Sequence, residues 1–208
     1  MKVLIGCEFS GIVRDAFAAR GHNAWSCDLL PTEKPGQHIQ GNVLDYLDEG
    51  WDLAIFHPPC TRLTNSGVRW LAERNLWEEM EEAARFFVKL LKAPILRKAI
   101  ENPIPHGHAM KIIGRKYDQI IQPHWFGHGE TKATCLWLDG LPPLRATNRV
   151  EGREGRIHRL PPSEDRWKLR STTFPGIAEA FADQWGCADY EMAALRQLPL
   201  FAELKEAA

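Results

Sequence analysis

Four apolar residues, Leu53-Ala54-Ile55-Phe56, run straight into His57-Pro58-Pro59-Cys60, and this junction limits the folds open to the chain. A short apolar run bounded by turn formers is the pattern of a strand buried on both faces, which belongs in a parallel sheet sandwiched between helices. Pro58 and Pro59 each fix φ and remove a ladder donor, so the chain must leave the sheet after Phe56. Ligands of open α/β sheets bind in the crevice at the carboxyl ends of the strands, which places a thiol just beyond such an end for chemistry. On spacing alone, Cys60 is either that reactive thiol or the small buried residue that most free cysteines are.

The flanking sequence alternates short apolar runs with helical patterns, which predicts an α/β fold with a mostly parallel sheet and helices on both faces. Strands are predicted at 3–5, 24–27, just before Gly41, 53–56, 97–100, 119–122 and 135–138. Gly6 to Gly11 reads as a turn opening a helix with Ile12, Val13, Phe17 and Ala18 on its apolar side. A helix is predicted over 73–92, with Leu76, Met80, Ala84, Phe87 and Leu91 on one face and its glutamates and basic residues arranged to suit the macrodipole. A last helix is predicted over 175–185.

At 208 residues the chain is long enough for one well-buried domain. A net charge of −1 excludes a general polycation, so any nucleic-acid contact must come from a local patch. The cysteines at 7, 27, 60, 135 and 187 show no paired spacing, which predicts reduced thiols in a cytoplasmic protein and no zinc site. The first apolar run is too short for a signal peptide, and no stretch is long enough to span a membrane.

Asp28 stands at the end of the predicted second strand, where nucleoside-binding α/β proteins keep a carboxylate for ribose hydroxyls. Val13 and Arg14 occupy positions where a dinucleotide fingerprint needs glycine. A pyrophosphate therefore fits poorly, and a nucleoside cofactor without phosphates fits better. The plainer reading of this stretch is a simple strand–turn–helix joint.

Pro59-Cys60, Glu101-Asn102-Pro103 and the turn Cys7-Glu8-Phe9-Ser10-Gly11-Ile12-Val13 together resemble the DNA cytosine-C5 methyltransferases, best their short phage and prophage members. The order of segments agrees along nearly the whole chain. Gly41-Asn42-Val43 is similar to the family's Gly-Asp-Ile, and Phe126-Gly-His-Gly-Glu-Thr-Lys132-Ala-Thr134 to its Gly-x-Pro-Gln-x-Arg-x-Arg segment. Arg159-Leu-Pro-Pro-Ser-Glu164-Asp-Arg166 resembles the Leu-Thr-Pro-Arg-Glu segment. The resemblance implies a Rossmann-like S-adenosylmethionine-dependent methyltransferase fold, S-adenosyl-L-methionine as cofactor, single- or double-stranded DNA as partner, and the cytoplasm of a bacterial or phage-infected cell. It further implies Cys60 as nucleophile and Glu101 as the acid on the ring, with Asn102, Lys132, Thr134 and Arg62 around the substrate. Phe9 would stack on adenine, with Ser10, Gly11, Asp28, Leu29, Asn42 and Pro58 completing the cofactor site.

The departures from the family pattern are also specific. Val13 replaces the second glycine of the turn, Thr61 replaces the glutamine after the nucleophile, and Lys132 and Thr134 replace the arginine pair. Only residues 139–158 stand where the family has a large target-recognition domain, so the catalytic domain is expected to comprise 1–138 and 159–208. That shortness leaves open a related pyrimidine-modifying enzyme acting on RNA or a free nucleotide, and a catalytically silent nucleic-acid-binding module.

Cytosine C5 is a poor nucleophile until a thiolate adds to C6, and a free cysteine is mostly protonated at neutral pH. Two prolines separate His57 from Cys60, so His57 reads as a structural residue at a strand end rather than the activating base. Glu101 would protonate the ring only with a raised pKa, which a buried strand end can supply. The loop at 61–70, with Arg62, Asn65, Ser66, Arg69 and Trp70, is placed to close over a base turned out of its stack. Eight basic residues against four acidic ones lie between Arg145 and Arg170. Arg145, Arg149, Arg153, Arg156, Arg159, Arg166, Lys168 and Arg170 can track phosphates, with Trp167 available to stack, or form an ordinary solvated face. So short a segment reads few base edges, which predicts weak or very short sequence specificity, or help from a protein partner or a second copy.

Overall fold

The computed structural model describes residues 1–187; residues 188–208, the end of the expected 159–208 catalytic segment, lie outside the described residues. Seven strands form one sheet: β1 (Lys2–Gly6), β2 (Asn23–Asp28), β3 (His38–Gln40), β4 (Leu53–Phe56), β5 (Lys98–Pro103), β6 (Gln119–Ile121) and β7 (Thr134–Asp139). Their order is β3-β2-β1-β4-β5-β7-β6. The first five run parallel, and β7 lies antiparallel between β5 and β6. This is a doubly wound order with one reversed strand wedged near an edge, the expected Rossmann-like fold. The winding reverses between β1 and β4, so the ligand crevice opens where Gly6 and Phe56 end their strands.

The helices are α1 (Ile12–Ala18), α2 (Arg69–Glu73), α3 (Trp77–Leu91), α4 (Gly107–Ile113), α5 (Arg156–Arg159), α6 (Arg166–Ser171) and α7 (Pro175–Trp185). On one face of the sheet α1 and α7 bury Val13, Phe17, Ile177, Phe181 and Trp185 against Val3, Ile5, Leu53 and Ile55. On the other, α3 and α4 bury Met80, Ala84, Phe87, Leu90 and Ile113 against Leu4, Ala54, Phe56 and Trp137. The central strands are apolar on both sides for this reason, and each large side chain so buried stabilises the fold by roughly 1.5–3 kcal/mol. None of the helices among the described residues is long and apolar enough to cross a membrane.

Three expectations change. The helix predicted over 73–92 begins only at Trp77, as α3, because Asn75 at φ 50° takes the left-handed conformation that asparagine tolerates and separates it from α2, which ends at Glu73. The strand predicted at 97–100 continues to Pro103, because Glu101 and Asn102 pair with Leu136 and Cys135 of β7. Helix α4 carried too short a pattern to be seen; His106 caps it, Nδ1 accepting the Ala109 N–H at 3.1 Å. Residues 139–158 fold back along 123–131, the Gly127 and Thr131 N–H groups donating to the Asn148 and Glu154 carbonyls at 2.7 and 2.9 Å.

Candidate active site

Beyond Phe56 the chain turns tightly, the Leu63 and Thr64 N–H groups both donating to the Cys60 carbonyl at 3.0 and 3.2 Å. Asn102, 1% exposed on β5, donates Nδ2 to the Pro58 carbonyl at 2.9 Å and so clamps this turn to the neighbouring strand. Asn102, expected at the substrate, holds the backbone that carries Cys60. Pro58 is buried beneath, and Pro59 is the proline that borders a hollow.

The register that sets Phe56 beside Ile100 brings His57 beside Glu101, with Nδ1 3.1 Å from Oε2 and both side chains largely buried. Burial alone would raise the Glu101 carboxyl. The hydrogen bond and charge of His57, followed by the Lys132 charge and the Thr134 hydroxyl, outweigh burial and hold it below the usual carboxylate range. The expectation of a raised pKa is therefore wrong in direction, because it counted desolvation without the cation-bearing neighbours. The Thr134 hydroxyl has one proton to give, with the Lys132 carbonyl at 3.1 Å and the Glu101 carboxyl both in reach. His57 Nε2 is buried with no hydrogen-bond partner among the described residues.

Burial pushes the Cys60 thiol up and the Glu101 charge adds to this, while Lys132 and Arg170 pull it down. The thiol is thus protonated at rest. Cys60, Glu101, Lys132 and Arg170 act on one another across the carboxyl edge of β4 and β5.

Helix α6 and the residues after it lie over this edge. Lys132 Nζ donates to the Arg170 carbonyl at 2.8 Å, Lys168 Nζ stands 3.4 Å from Glu33, and the Trp167 ring packs on Phe9 with centroids 5.5 Å apart. Phe9, expected to stack on adenine, has Trp167 as its aromatic partner here. Ser171, Thr172 and Thr173 border a small hollow of about 40 Å³ together with Cys7, Glu8, Phe9, Ser10 and His57.

A second hollow of about 110 Å³ is lined by Cys7, Cys27, Asp28, Leu29, Gly41, Asn42, Val43, Pro59 and Phe86. Apolar walls with one carboxyl at the rim suit a nucleoside, whose flat base is apolar on its faces and whose hydroxyls need an acceptor. Burial raises the Asp28 carboxyl, opposed by the Leu30 N–H that donates to Oδ1 at 2.9 Å and by the His38 charge. Asn42 Oδ1 already accepts the Leu44 N–H at 3.1 Å, capping a short turn.

The turn after β1 is built differently from a phosphate-binding one. Glu8, 5% exposed, accepts the Val13 and Arg14 N–H groups at 2.7 and 3.2 Å and the Ser10 hydroxyl at 3.1 Å. The protein's own carboxylate thus takes the amides that a phosphate would need. Arg14, 1% exposed, reaches the Ser26 and Thr32 hydroxyls and the Lys34 and Pro35 carbonyls. Gly11, at φ 72°, leaves room for that guanidinium: a Cβ there would lie 2.5 Å from it. Cys7 takes φ 59°, rare for a side-chain-bearing residue, and donates its N–H to the Cys27 carbonyl at 2.7 Å.

The remaining candidates are dispersed. Arg62 pairs with Glu79 at 2.8 Å. In the loop and helix beyond it the Trp70 ring is flanked by the Arg69 and Arg74 guanidinium groups at 4.2 and 4.3 Å. Arg149 lies over the Trp125 ring, Arg156 pairs with Glu130, and the Arg145 N–H donates to Gln184. Arg153 folds onto its own loop carbonyls, Arg159 is exposed, and Arg166 is half-buried. The sequence reading takes His57 as structural, and it places Cys7 and Glu8 in the cofactor turn without assigning either a role. The signal for His57 was available, since aligning the apolar runs of β4 and β5 as neighbours sets it against Glu101.

No family model and no curated protein matches the chain. Among solved structures it is similar to a candidate DNA modification methyltransferase encoded within an E. coli prophage, at 11% identity and a TM-score of 0.43 over 72% of this chain. This chain spans 51% of that structure's length.

Proposed function

We propose that this protein is an S-adenosylmethionine-dependent methyltransferase acting on cytosine C5 in DNA. The observation that carries the reading is the convergence of the Cys60 thiol and the Glu101 carboxyl at the ends of adjacent parallel strands, with the Lys132 charge acting on both from just before β7, beside a largely apolar hollow with Asp28 at its rim.

In this reading the cofactor lies in that hollow, held by Asp28, Leu29, Asn42 and Pro59, and supplies an electrophilic methyl group. Cys60 loses its proton to solvent and its sulfur bonds to C6, which moves the C5–C6 π electrons toward the ring and makes C5 a nucleophile. Glu101 hydrogen-bonds the N3 edge and the exocyclic amine, and Lys132 steadies the charge of the carboxyl and the thiolate. A base in a duplex reaches Cys60 only when turned out of the stack, at a cost of a few kcal/mol. Trp70 between its two arginines and the basic run from Arg145 to Arg170 are suited to hold the displaced strand. Residues 139–158 supply few side chains for reading base edges, which favours short or weak sequence specificity, or a second copy or partner completing recognition.

Incubation with labelled S-adenosylmethionine and DNA containing 5-fluorocytosine tests this. Wild type is expected to form a covalent complex and Cys60→Ala none. Trapping of RNA or a free nucleotide instead would keep the chemistry and change the substrate. Absence of any adduct alongside demonstrated cofactor binding would replace the enzyme with a silent nucleic-acid-binding module.

A further inference from the structure

A resting Glu101 carboxylate has no proton to give to a pyrimidine, yet cytosine activation requires N3 to gain one as sulfur adds to C6. The source must lie within hydrogen-bond reach of Glu101. Its neighbours are His57 from the end of β4, Thr134 and Cys135 from β7, Lys132 just before β7, and Cys60 beyond β4, with Arg170 acting on Cys60. A hydroxyl holds its proton too tightly, Lys132 is committed to the Arg170 carbonyl, and burial pushes the Cys135 thiol up to about 12. An imidazole is the one group here that both gives and takes a proton near neutral pH.

We propose that His57 is the positioning and proton-relaying partner of Glu101, its Nδ1 handing on the proton that Glu101 delivers to ring N3. This rests on the cytosine-activating reading of the site. Two observations carry it: the 3.1 Å contact between Nδ1 and Oε2, and the buried Nε2 that has no hydrogen-bond partner among the described residues. His57 borders the hollow shared with Cys7, Glu8, Phe9, Ser10 and residues 171–173, and Glu8 is already committed to the Val13 and Arg14 amides and to Ser10. A histidine held only for structure would use its second nitrogen, as His106 does by bonding Arg62 and Ala109 with its two. An imidazole that must reload keeps that nitrogen uncommitted.

The step balances. The imidazolium Nδ1–H bond breaks as an O–H bond forms on Glu101; that O–H breaks as N3–H forms; the sulfur–C6 bond takes up the thiolate pair while the C5–C6 π pair moves into the ring. His57 is left neutral and regains its proton from water, which also took the Cys60 thiol proton.

The test compares wild type with His57→Asn, whose amide keeps a donor near Nδ1 but cannot carry a proton. Binding of DNA and S-adenosylmethionine should stay within about twofold, while adduct formation on 5-fluorocytosine DNA in a single turnover should slow by roughly 10²-fold, the low end for a lost proton transfer. The wild-type pH profile should be bell-shaped, set by two ionisations, that of Cys60 and that of the His57–Glu101 pair, and His57→Asn should keep only the one from Cys60. An unchanged rate and an unchanged bell in His57→Asn would reduce His57 to a structural residue while leaving the cytosine reading intact. Failure of wild type to trap any pyrimidine would remove both. NMR of the free protein separates the cases: the pH at which the His57 ring signals change should move in Glu101→Gln, and a fixed value would overturn the coupling whatever the substrate.

Discussion

Lys132 Nζ donates to the Arg170 carbonyl at 2.8 Å, which ties the segment before β7 to α6 and parks a positive charge beside Cys60 and Glu101. Replacing it by methionine removes the charge but little volume. Lys132→Met should raise the Cys60 thiol further, so alkylation of Cys60 at fixed neutral pH, followed by peptide mass spectrometry, should slow severalfold. Exposed Cys187 is the internal control. An equal or faster Cys60 rate would show that Lys132 does not act on the thiol.

Glu101 makes the fold sensitive to acid. Its carboxyl lies below its unfolded value, so its contribution is present above roughly pH 4.3, the unfolded glutamate value, and is lost as pH falls through the folded one. Asp139, held down by Arg115 and Lys98 against the opposing effect of burial, behaves likewise. Urea unfolding of Glu101→Gln against pH should show a shallower loss of stability than wild type below that point. Parallel curves would mean that the His57 contact does not lower the carboxyl.

Arg14 sits under the stretch that joins β2 to β3, bonded to one hydroxyl and two carbonyls of 32–35. Arg14→Met should cost about 2–4 kcal/mol, within the range for breaking a buried charged hydrogen-bond network. Amide exchange should rise in 29–37 before it rises in β1. Uniform exchange across the sheet would place the role of Arg14 elsewhere.

For nucleic acid, exposed Arg159 and the Glu130-paired Arg156 make a contrast. If Arg159 meets a phosphate, Arg159→Ala should flatten the plot of log binding constant against log salt by about one unit, with a smaller change for Arg156→Ala. Identical slopes in all three proteins would remove the 145–170 run from the DNA contact.

The strand at 53–56 was legible to the residue because four apolar side chains and two prolines leave no other state. The sheet class followed from the alternation of apolar runs, and the places of Cys60 and Glu101 at neighbouring strand ends from the prolines and apolar runs before them. Asn75 hid the break between α2 and α3, since a left-handed asparagine leaves no trace in apolar spacing. The His57–Glu101 contact joins residues 44 apart, so it exists only once β4 and β5 are set side by side. The direction of the Glu101 shift was misread for the same reason: burial is visible in a strand pattern, whereas a cation arriving from another strand end is not.

Glu8 has a consequence for what this protein ignores. Because its carboxylate sits on the first amides of α1, the mouth of the crevice presents negative charge where other nucleotide-binding folds present bare N–H groups. In the methyltransferase reading proposed above, an adenine nucleotide would bring its phosphates against this carboxylate. A cofactor carrying adenosine without phosphates would not, so that reading assigns Glu8 the exclusion of nucleotides from the crevice.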